Sequence, residues 1–348
     1  MTADSEFAFE LRVCAWAERA WPPGADGGSD EAVLVARQLG VRERRWDTIV
    51  FECDRAGLER RANFGHEHLD ADLLHVLRNA PAEWQYYRDV LPDPGYSWSY
   101  VREAIHEASD RDILESRKRS NRIEIRRKWA YPDWIDRIVA IENKPDLTAT
   151  AARDLAPQIE RDVALGLADE VWIATAATGE RVEPILLEDV PLAAGVLTVD
   201  ADAGSADVSW QPQRLAVDEP GTRILENPAP STTDQSAARF EYVDTDWKEY
   251  KRLQIAERAY ERGWRAYADT MRLDCRHFEV TDDPACLLPH CAAKAKTPTA
   301  GECSHRCAAF EPEPPAWRNK GWPIDGGPGK GLKRLLADRR NRRRPGLD

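Results

Sequence analysis

Near the middle of the chain an apolar run, IVAIENK, ends on Glu142, Asn143 and Lys144. On a strand, residues two apart point to the same face, so Glu142 and Lys144 share one and Asn143 takes the other. Phosphodiester hydrolysis asks for this pair. Hard carboxylate oxygens hold a divalent cation, Mg2+ or Mn2+, that polarises the phosphate and activates water. A nearby ammonium stabilises the charge that builds up on the phosphate oxygens. A second acid is needed, and Asp47, which opens the β-branched run WDTIVFEC, is our assignment; Asp133 and Asp136 stand closer in sequence, on the approach to the Glu142 run. The plain alternative is a surface acid and base at a strand end, with Asp47 a strand-edge acid. Lysine usage speaks against it. Of 49 basic residues only 10 are Lys, none precedes Lys118, and Lys144 stands alone between Lys128 and Lys248. A merely solvated position in this chain would more often carry Arg.

Five of the seven cysteines fall in one segment, spaced C-x10-C-x4-C-x11-C-x3-C from Cys275 through Cys286, Cys291 and Cys303 to Cys307. Four thiolates suit tetrahedral zinc or an iron–sulfur cluster. We take Cys275, Cys291, Cys303 and Cys307 as the set and Cys286 as the spare, with His277, His290 and His305 as substitute ligands; the alternative is a group of free buried thiols. Cys14 and Cys53 are isolated and read as small buried hydrophobes.

The third chemical feature is a cluster of positive charge. Residues 111–128 hold eight Arg or Lys against three acids, a local +5 in a chain of net charge −12. Arg117, Lys118, Arg119, Arg122, Arg126 and Arg127 are the candidate phosphate contacts, since such binding depends on clustered basic side chains. A protein-docking module is the alternative reading of the same segment. A second basic run, eight Arg or Lys from Lys330 onward, reads as a flexible nonspecific contact or a solvated tail.

The elements that must position these groups follow from periodicity. Residues 5–20 form an amphipathic helix with Ser5 as N-cap, and EAVLVARQLG reads as a second helix, started by Ser29 and Asp30 and stopped at Gly40. WDTIVFEC is a strand. Three helices follow (HLDADLLHVLRNAP, EWQYYRDVL and SWSYVREAIHEAS), then two short strands around the basic turn, which is the winged-helix order. DRIVAIENK is a strand and PQIERDVALGL a helix, with Pro157 at its first position. EVWIAT, EPILLE, GVLTVD and ADVSWQ are strand-like, and residues 247–270 form a helix that follows a Pro/Ser/Thr-rich linker around 218–238. At 348 residues the chain exceeds one ordinary domain, and 42% hydrophobic content excludes disorder throughout. No apolar run approaches the ~18 residues of a membrane span, and the acidic N-terminus is unlike a signal peptide, so a cytoplasmic protein with no membrane partner is expected. The acidic, Lys-poor composition suits a salt-loving cytoplasm.

The order helix, strand with Asp47, strand with Glu142 and Lys144, helix with Gln158, strand resembles the αβββαβ core of the PD-(D/E)xK nucleases, above all the RecB-like branch. That resemblance implies an α/β, restriction-endonuclease-like fold. It gives catalytic roles to Asp47, Glu142 and Lys144, with Gln158 assisting from the first turn of its helix and Glu10, or else Glu31, as the helix acid. Asp162 stands where that branch has a tyrosine after the glutamine. Some of its members hold a four-cysteine iron–sulfur cluster, which favours 4Fe-4S over Zn2+ here. FAFELRVCAWAE, IENKPDL, QIERDVALGLADEVWIAT and AERAYERGWR, with the cysteine segment, also resemble an uncharacterised haloarchaeal domain-of-unknown-function family.

The expected architecture is a nuclease-like core in two parts (1–54 and 130–215) around a winged-helix insertion (55–129). A linker (216–245), a helix plus C-terminal cysteine-cluster module (246–315) and a basic tail (316–348) follow. The expected function is metal-dependent DNA cleavage in DNA processing or repair, with DNA and repair-complex proteins as partners. The alternative is a DNA-binding winged-helix regulator, or a repair-complex subunit, on an inactive nuclease fold.

Overall fold

The Ser5 hydroxyl accepts from the Ala8 amide and starts helix α1 (Glu6–Ala20), as expected. In the computed structural model, residues 5–24, 32–42, 44–178, 188–200, 203–226, 239–281, 287–304, 306–312 and 328–342 are described. After α1 come strands β1 (Ala32–Gly40) and β2 (Arg45–Cys53), an antiparallel pair. The segment expected as a second helix is therefore a strand. Its apolar residues alternate between the two sides of the sheet: Leu34 and Ala36 enter one core, Val35 the other, so both faces are buried. Gly40 permits the tight return to β2, because a Cβ there would sit 2.2 Å from the Arg44 carbonyl oxygen.

Between β2 and its next partner the chain makes a separate layer: α2 (Arg55–Ala62), α3 (Ala71–Asn79), β3 (Gln85–Tyr86), α4 (Tyr87–Val90), α5 (Trp98–Asp110), β4 (Leu114–Arg119) and β5 (Arg122–Arg127). The run EWQYYRDVL thus splits into a two-residue strand and one helical turn. Its Tyr86 is drawn into pairing with Glu124. The small sheet has the order β3-β5-β4. Ser120 and Asn121, both at positive φ, turn β4 into β5 as hairpin turns require. This layer has its own core, including Leu73, Leu77, Val101, Ile105 and Ile125.

The chain then returns with β6 (Arg137–Asn143), α6 (Ala149–Leu165), β7 (Glu170–Ala176), β8 (Gly195–Asp200) and β9 (Ser205–Trp210). The main sheet is mixed, in the order β1-β2-β6-β7-β8-β9. Strands β1, β2 and β6 are antiparallel, β6, β7 and β8 parallel, and β9 antiparallel again. The strand-like run at 183–188 lies almost wholly outside the described residues. Helix α6 starts two turns earlier than expected, capped by Thr148, so Pro157 is inside it. Pro157 leaves the Arg153 carbonyl without its i+4 amide donor, at an exposed part of the helix.

The expected linker contains β10 (Gly221–Glu226) and β11 (Arg239–Val243), which pair with each other. Helix α7 (Thr245–Arg262) ends at Gly263, earlier than expected, and a 3-10 helix (Trp264–Asp269) carries Trp264 and Tyr267 into the core. A two-stranded ribbon, β12 (Phe278–Val280) and β13 (Pro289–Cys291), frames the cysteine segment. The basic tail is helical over α8 (Pro328–Arg342), and it buries Leu336 beside the 3-10 helix; a flexible tail is thereby corrected for those residues.

Two cores sandwich the main sheet. Helices α6 and α7 cover one face through Leu155, Ile159, Ile255 and Tyr260. Helix α1, the 3-10 helix and the cysteine segment cover the other through Phe9, Trp16, Trp264 and Leu288. No helix among the described residues is long and apolar enough to cross a membrane.

Candidate active site

The β2–β6 register pairs Thr48 with Ile141. Continued by one residue it sets Asp47 opposite Glu142, and cross-strand partners point to the same face. Asp136 is excluded as the partner acid. Its amide binds the Glu52 carbonyl at the far end of β2, six residues and about 20 Å along the strand from Glu142. Asp133 is nearer that far end as well, its carbonyl pressed against Gly57 in α2.

Helix α1 brings Glu10 to the same end of the sheet. Gln38 in β1 joins the two acids: its Nε2 donates to Glu10 Oε1 at 3.1 Å and to Asp47 Oδ1 at 3.0 Å. Arg37 Nε also donates to Glu10 Oε1, at 2.9 Å. The other Asp47 oxygen accepts from the Asn143 amide at 3.0 Å, which ties Asp47 to the end of β6. Gln38 has φ 53° and falls between the Arg37–Thr48 and Leu39–Trp46 pairs. A non-glycine residue held in this region carries strain, and such strain collects at functional sites.

Glu142 is 4% exposed. Burial, and next the charge of Asp47, push its carboxyl up to about 8, against the opposing pull of Arg44. Burial also raises Glu10, with Arg37 opposing. Arg44, in the β1–β2 connection, places Nη2 2.6 Å from Glu142 Oε1. The same guanidinium donates to Asp162 of α6 through Nε and Nη2 at 2.8–3.1 Å. Trp46 Nε1 adds a fourth hydrogen bond to Asp162 at 2.9 Å. Asp162 is thus the anchor of an arginine that faces Glu142.

Lys144 follows β6, with its amide bonded to the Ala174 carbonyl. Its Nζ donates to Glu6 Oε1 at 2.9 Å, and this bond, above all, raises its pKa. Gln158 is half-buried in the middle of α6, not in its first turn; it lies one helical turn before Asp162 and so on the same helix face. Glu31, the alternative helix acid, lies outside the described residues.

Cys275, Cys291, Cys303 and Cys307 line a single cavity of about 20 Å³, walled by Phe278, Pro298 and Phe310, with Arg272 and Lys294 at its edge. Burial pushes the Cys303 thiol up, and the other three cysteines act on it in the same direction. Cys286 and His305 lie outside the described residues. His277 turns to Glu311 at 3.4 Å, and His290 pairs with Glu279 across the ribbon. Cys14 and Cys53 are buried, as expected, with Cys14 Sγ 3.3 Å from Thr48 Oγ1. Among the described residues, no three His, Cys, Asp or Glu side chains stand as a ready-made metal-binding group. At the carboxylates, Gln38 and Arg44 reach in among the acids.

On the β4–β5 hairpin, Arg117 pairs with Glu124 at 2.6 Å and Arg126 with Glu115. Both guanidiniums also stack over Trp84, at 4.2 and 5.0 Å. Arg122 stacks over Tyr86 at 5.1 Å. Lys118, Arg119, Arg122 and Arg127 are all exposed.

Sequence reasoning missed Gln38 and Arg44. Gln38 was hidden by the helical reading of its segment, and Arg44 by the run VRERRW, which looks like a solvated turn. A family of unknown function (DUF5787) matches residues 34–312, a span that takes in Asp47, Glu142, Lys144 and the cysteine segment but begins after Glu10. No curated protein and no solved structure matches the chain.

Proposed function

We propose a function from the chain's own chemistry, because it belongs to the DUF5787 family, whose function is unknown: a metal-dependent DNA nuclease of DNA processing or repair. The observation that carries this reading is the meeting of Glu10, Asp47 and Glu142, from a helix and two adjacent strands, at one end of a sheet with Lys144 just beyond. The order α1, β1, β2, β6, α6, β7 supports it, since helix, three strands, helix and strand is the arrangement of restriction-endonuclease-like cores. The first of these three strands, β1, is the one the sequence disguised as a helix.

Asp47 and Glu142, with Glu10 beside them, would hold Mg2+ or Mn2+. The donor set is hard oxygen, and Asp47 and Glu142 stand close enough for the charge of the first to raise the pKa of the second, an arrangement that a cation would relieve. The bound cation supplies polarisation of the phosphate and a nucleophilic water. Lys144 contributes charge at the scissile phosphate by leaving Glu6, an exposed partner that holds it only weakly. Asp162 of α6 supports Glu142 through Arg44, and Gln158, one turn earlier on the same helix face, would assist.

The insertion supports a winged-helix reading. Its order α3, β3, α4, α5, β4, β5 and its sheet order β3-β5-β4 suit that motif, and the exposed Lys118, Arg119, Arg122 and Arg127 with Arg117 and Arg126 form a phosphate-binding wing. The four cysteines around an apolar cavity support a tetrathiolate centre, 4Fe-4S or Zn2+. DNA and proteins of a repair complex are the proposed partners and the cytoplasm the proposed location, in keeping with six free thiols among the described cysteines.

One observation favours a second reading. Arg44 and Gln38 fill the space among the acids, as they would in a DNA-binding regulator on a nuclease fold without catalysis. Purified protein in high salt with Mn2+ separates the two. A nuclease cuts labelled duplex, single-stranded or branched DNA, and Lys144→Ala abolishes cutting while DNA binding persists. Binding without cutting on every substrate assigns the chain to the regulator class.

A further inference from the structure

A cavity of about 480 Å³, lined by none of the three carboxylates, lies where the β1–β2 connection, residues 68–71 at the start of α3, strand β10 and helix α7 meet. Its volume is in the range of small-ligand sites. Four cations line it: Arg42, Arg223, Lys251 and Arg258. The acid in its wall, Asp70, is committed to capping α3, where it accepts from the Asp72 and Leu73 amides. His68 is bound to Glu261 at 2.7 Å and Arg223 to Glu241 at 2.7 Å.

Arg258 is the informative member. Both of its hydrogen bonds go to backbone carbonyls, Gly40 at 2.5 Å and Gln254 at 3.3 Å. Burial and the nearby Arg262 push its pKa down. A partly desolvated guanidinium that spends its donors on carbonyls and has another cation as its neighbour favours the arrival of an anion. Trp247 supplies the second half of the site. Its half-buried indole carries the Arg223 guanidinium over the ring, 5.3 Å from the centroid, and Lys251 Nζ at 5.9 Å; Lys251 also donates to Gln254 Oε1 at 2.9 Å. An indole that now binds cations over its ring, at the wall of a cavity lined by four, matches a ligand whose negative charge draws those cations off the ring and whose π-face takes their place. An acidic peptide would leave the indole unused, and a duplex would not enter a concave cavity of this size.

We propose that this cavity binds a nucleoside phosphate, with the base stacked on Trp247 and the phosphate on Arg42, Lys251 and Arg258. The phosphate comes from a free nucleotide or from an unpaired nucleotide of a nucleic-acid strand. Neither the three carboxylates nor Lys144 line this cavity, so its ligand is proposed independently of the nuclease reading.

Titration calorimetry on the full chain in molar salt tests this, with dAMP, inorganic phosphate, and short single strands with and without a 5′-phosphate as probes. dAMP should bind saturably, one per chain. Trp247→Leu should weaken dAMP by about tenfold and leave inorganic phosphate nearly unchanged. The double variant Arg42→Ser, Lys251→Ser, whose changes fall on the cavity wall, should weaken both by about tenfold and decides the matter if the tryptophan variant does not fold. A strand that binds more tightly than dAMP and displaces it identifies the strand as the source; the reverse order identifies the free nucleotide. Absence of saturable dAMP binding, or equal dAMP affinity in wild type and double variant, overturns the proposal. Lys144→Ala should bind dAMP as wild type does, so failure here and failure of the nuclease reading are separately visible.

Discussion

A carboxyl group held away from water beside a second carboxylate keeps its proton to high pH, and Glu142, at about 8, does so. The consequence for stability has a definite sign. Between an ordinary glutamate pKa near 4.5 and about 8 the folded chain holds a proton that the unfolded chain has released. Stability in the absence of divalent cation therefore falls as pH rises through that window. Glu142→Gln carries no such proton, so in chelator its melting temperature should exceed that of wild type by a margin that grows from pH 5 to pH 8, while cutting is lost. A margin independent of pH would show that Arg44 keeps Glu142 ionised. Gln38 and Arg44 belong to the same balance: one amide joins Glu10 to Asp47, and one guanidinium joins Glu142 to Asp162. Neither was legible from residue type. A glutamine in an apolar run and an arginine in a charged run are the commonest of side chains, and only the meeting of β1, β2 and α6 gives them partners.

At the scale of elements, strands β2, β6 and β7 were legible because β-branched and apolar residues dominate them and turn residues bound them. Strand β1 was not. Ala, Leu, Arg and Gln in AVLVARQLG are good helix formers, and the pairing of eight residues with β2 overrides that local preference. Helix α6 shows the converse. Pro157 reads as a helix start, yet the two turns before it pack Ala152 and Leu155 on the sheet, and that burial outweighs one missing hydrogen bond. The β4–β5 hairpin carries its own prediction. Lys118→Ser, Arg119→Ser and Arg122→Ser together should weaken DNA binding uniformly across sequences. The slope of log affinity against log salt should fall by about one for each phosphate contact removed. Fluorescence anisotropy at several salt concentrations measures both; unchanged slopes would move the DNA surface elsewhere.

At the scale of the molecule, the net charge of −12 coexists with concentrated positive charge on the hairpin and around the Trp247 cavity. An average charge thus says little about what any one surface touches. The cysteine segment is built into the body of the protein. Leu273, Phe278, Leu287 and Leu288 share a core with Trp16 of α1 and Leu197 of β8. Losing one cysteine of the proposed tetrathiolate centre should therefore loosen that whole face of the sheet. Cys303→Ser should lower the melting temperature of the metal-loaded protein by about 5 °C or more. It should also abolish the absorption at about 400 nm expected of an iron–sulfur cluster. A colourless wild-type protein with stoichiometric zinc would keep the tetrathiolate centre and discard the iron.

The sequence by itself determined the strand that carries Glu142 and leads into Lys144, the basic hairpin and the four cysteines, because strand periodicity, clustered charge and thiol chemistry are properties of short segments. It also left Asp47, Asp133 and Asp136 as rival acids. Tertiary structure decided among them through strand direction: Asp47 and Glu142 share one end of the sheet, and Asp136 stands at the other. It alone decided that β1 is a strand, that Gln38 and Arg44 reach the acids, and that residues from four distant parts of the chain enclose a cationic cavity beside Trp247. Pairing, burial and charge proximity join residues more than a hundred positions apart, as Arg44 and Asp162 are, and no local pattern records them.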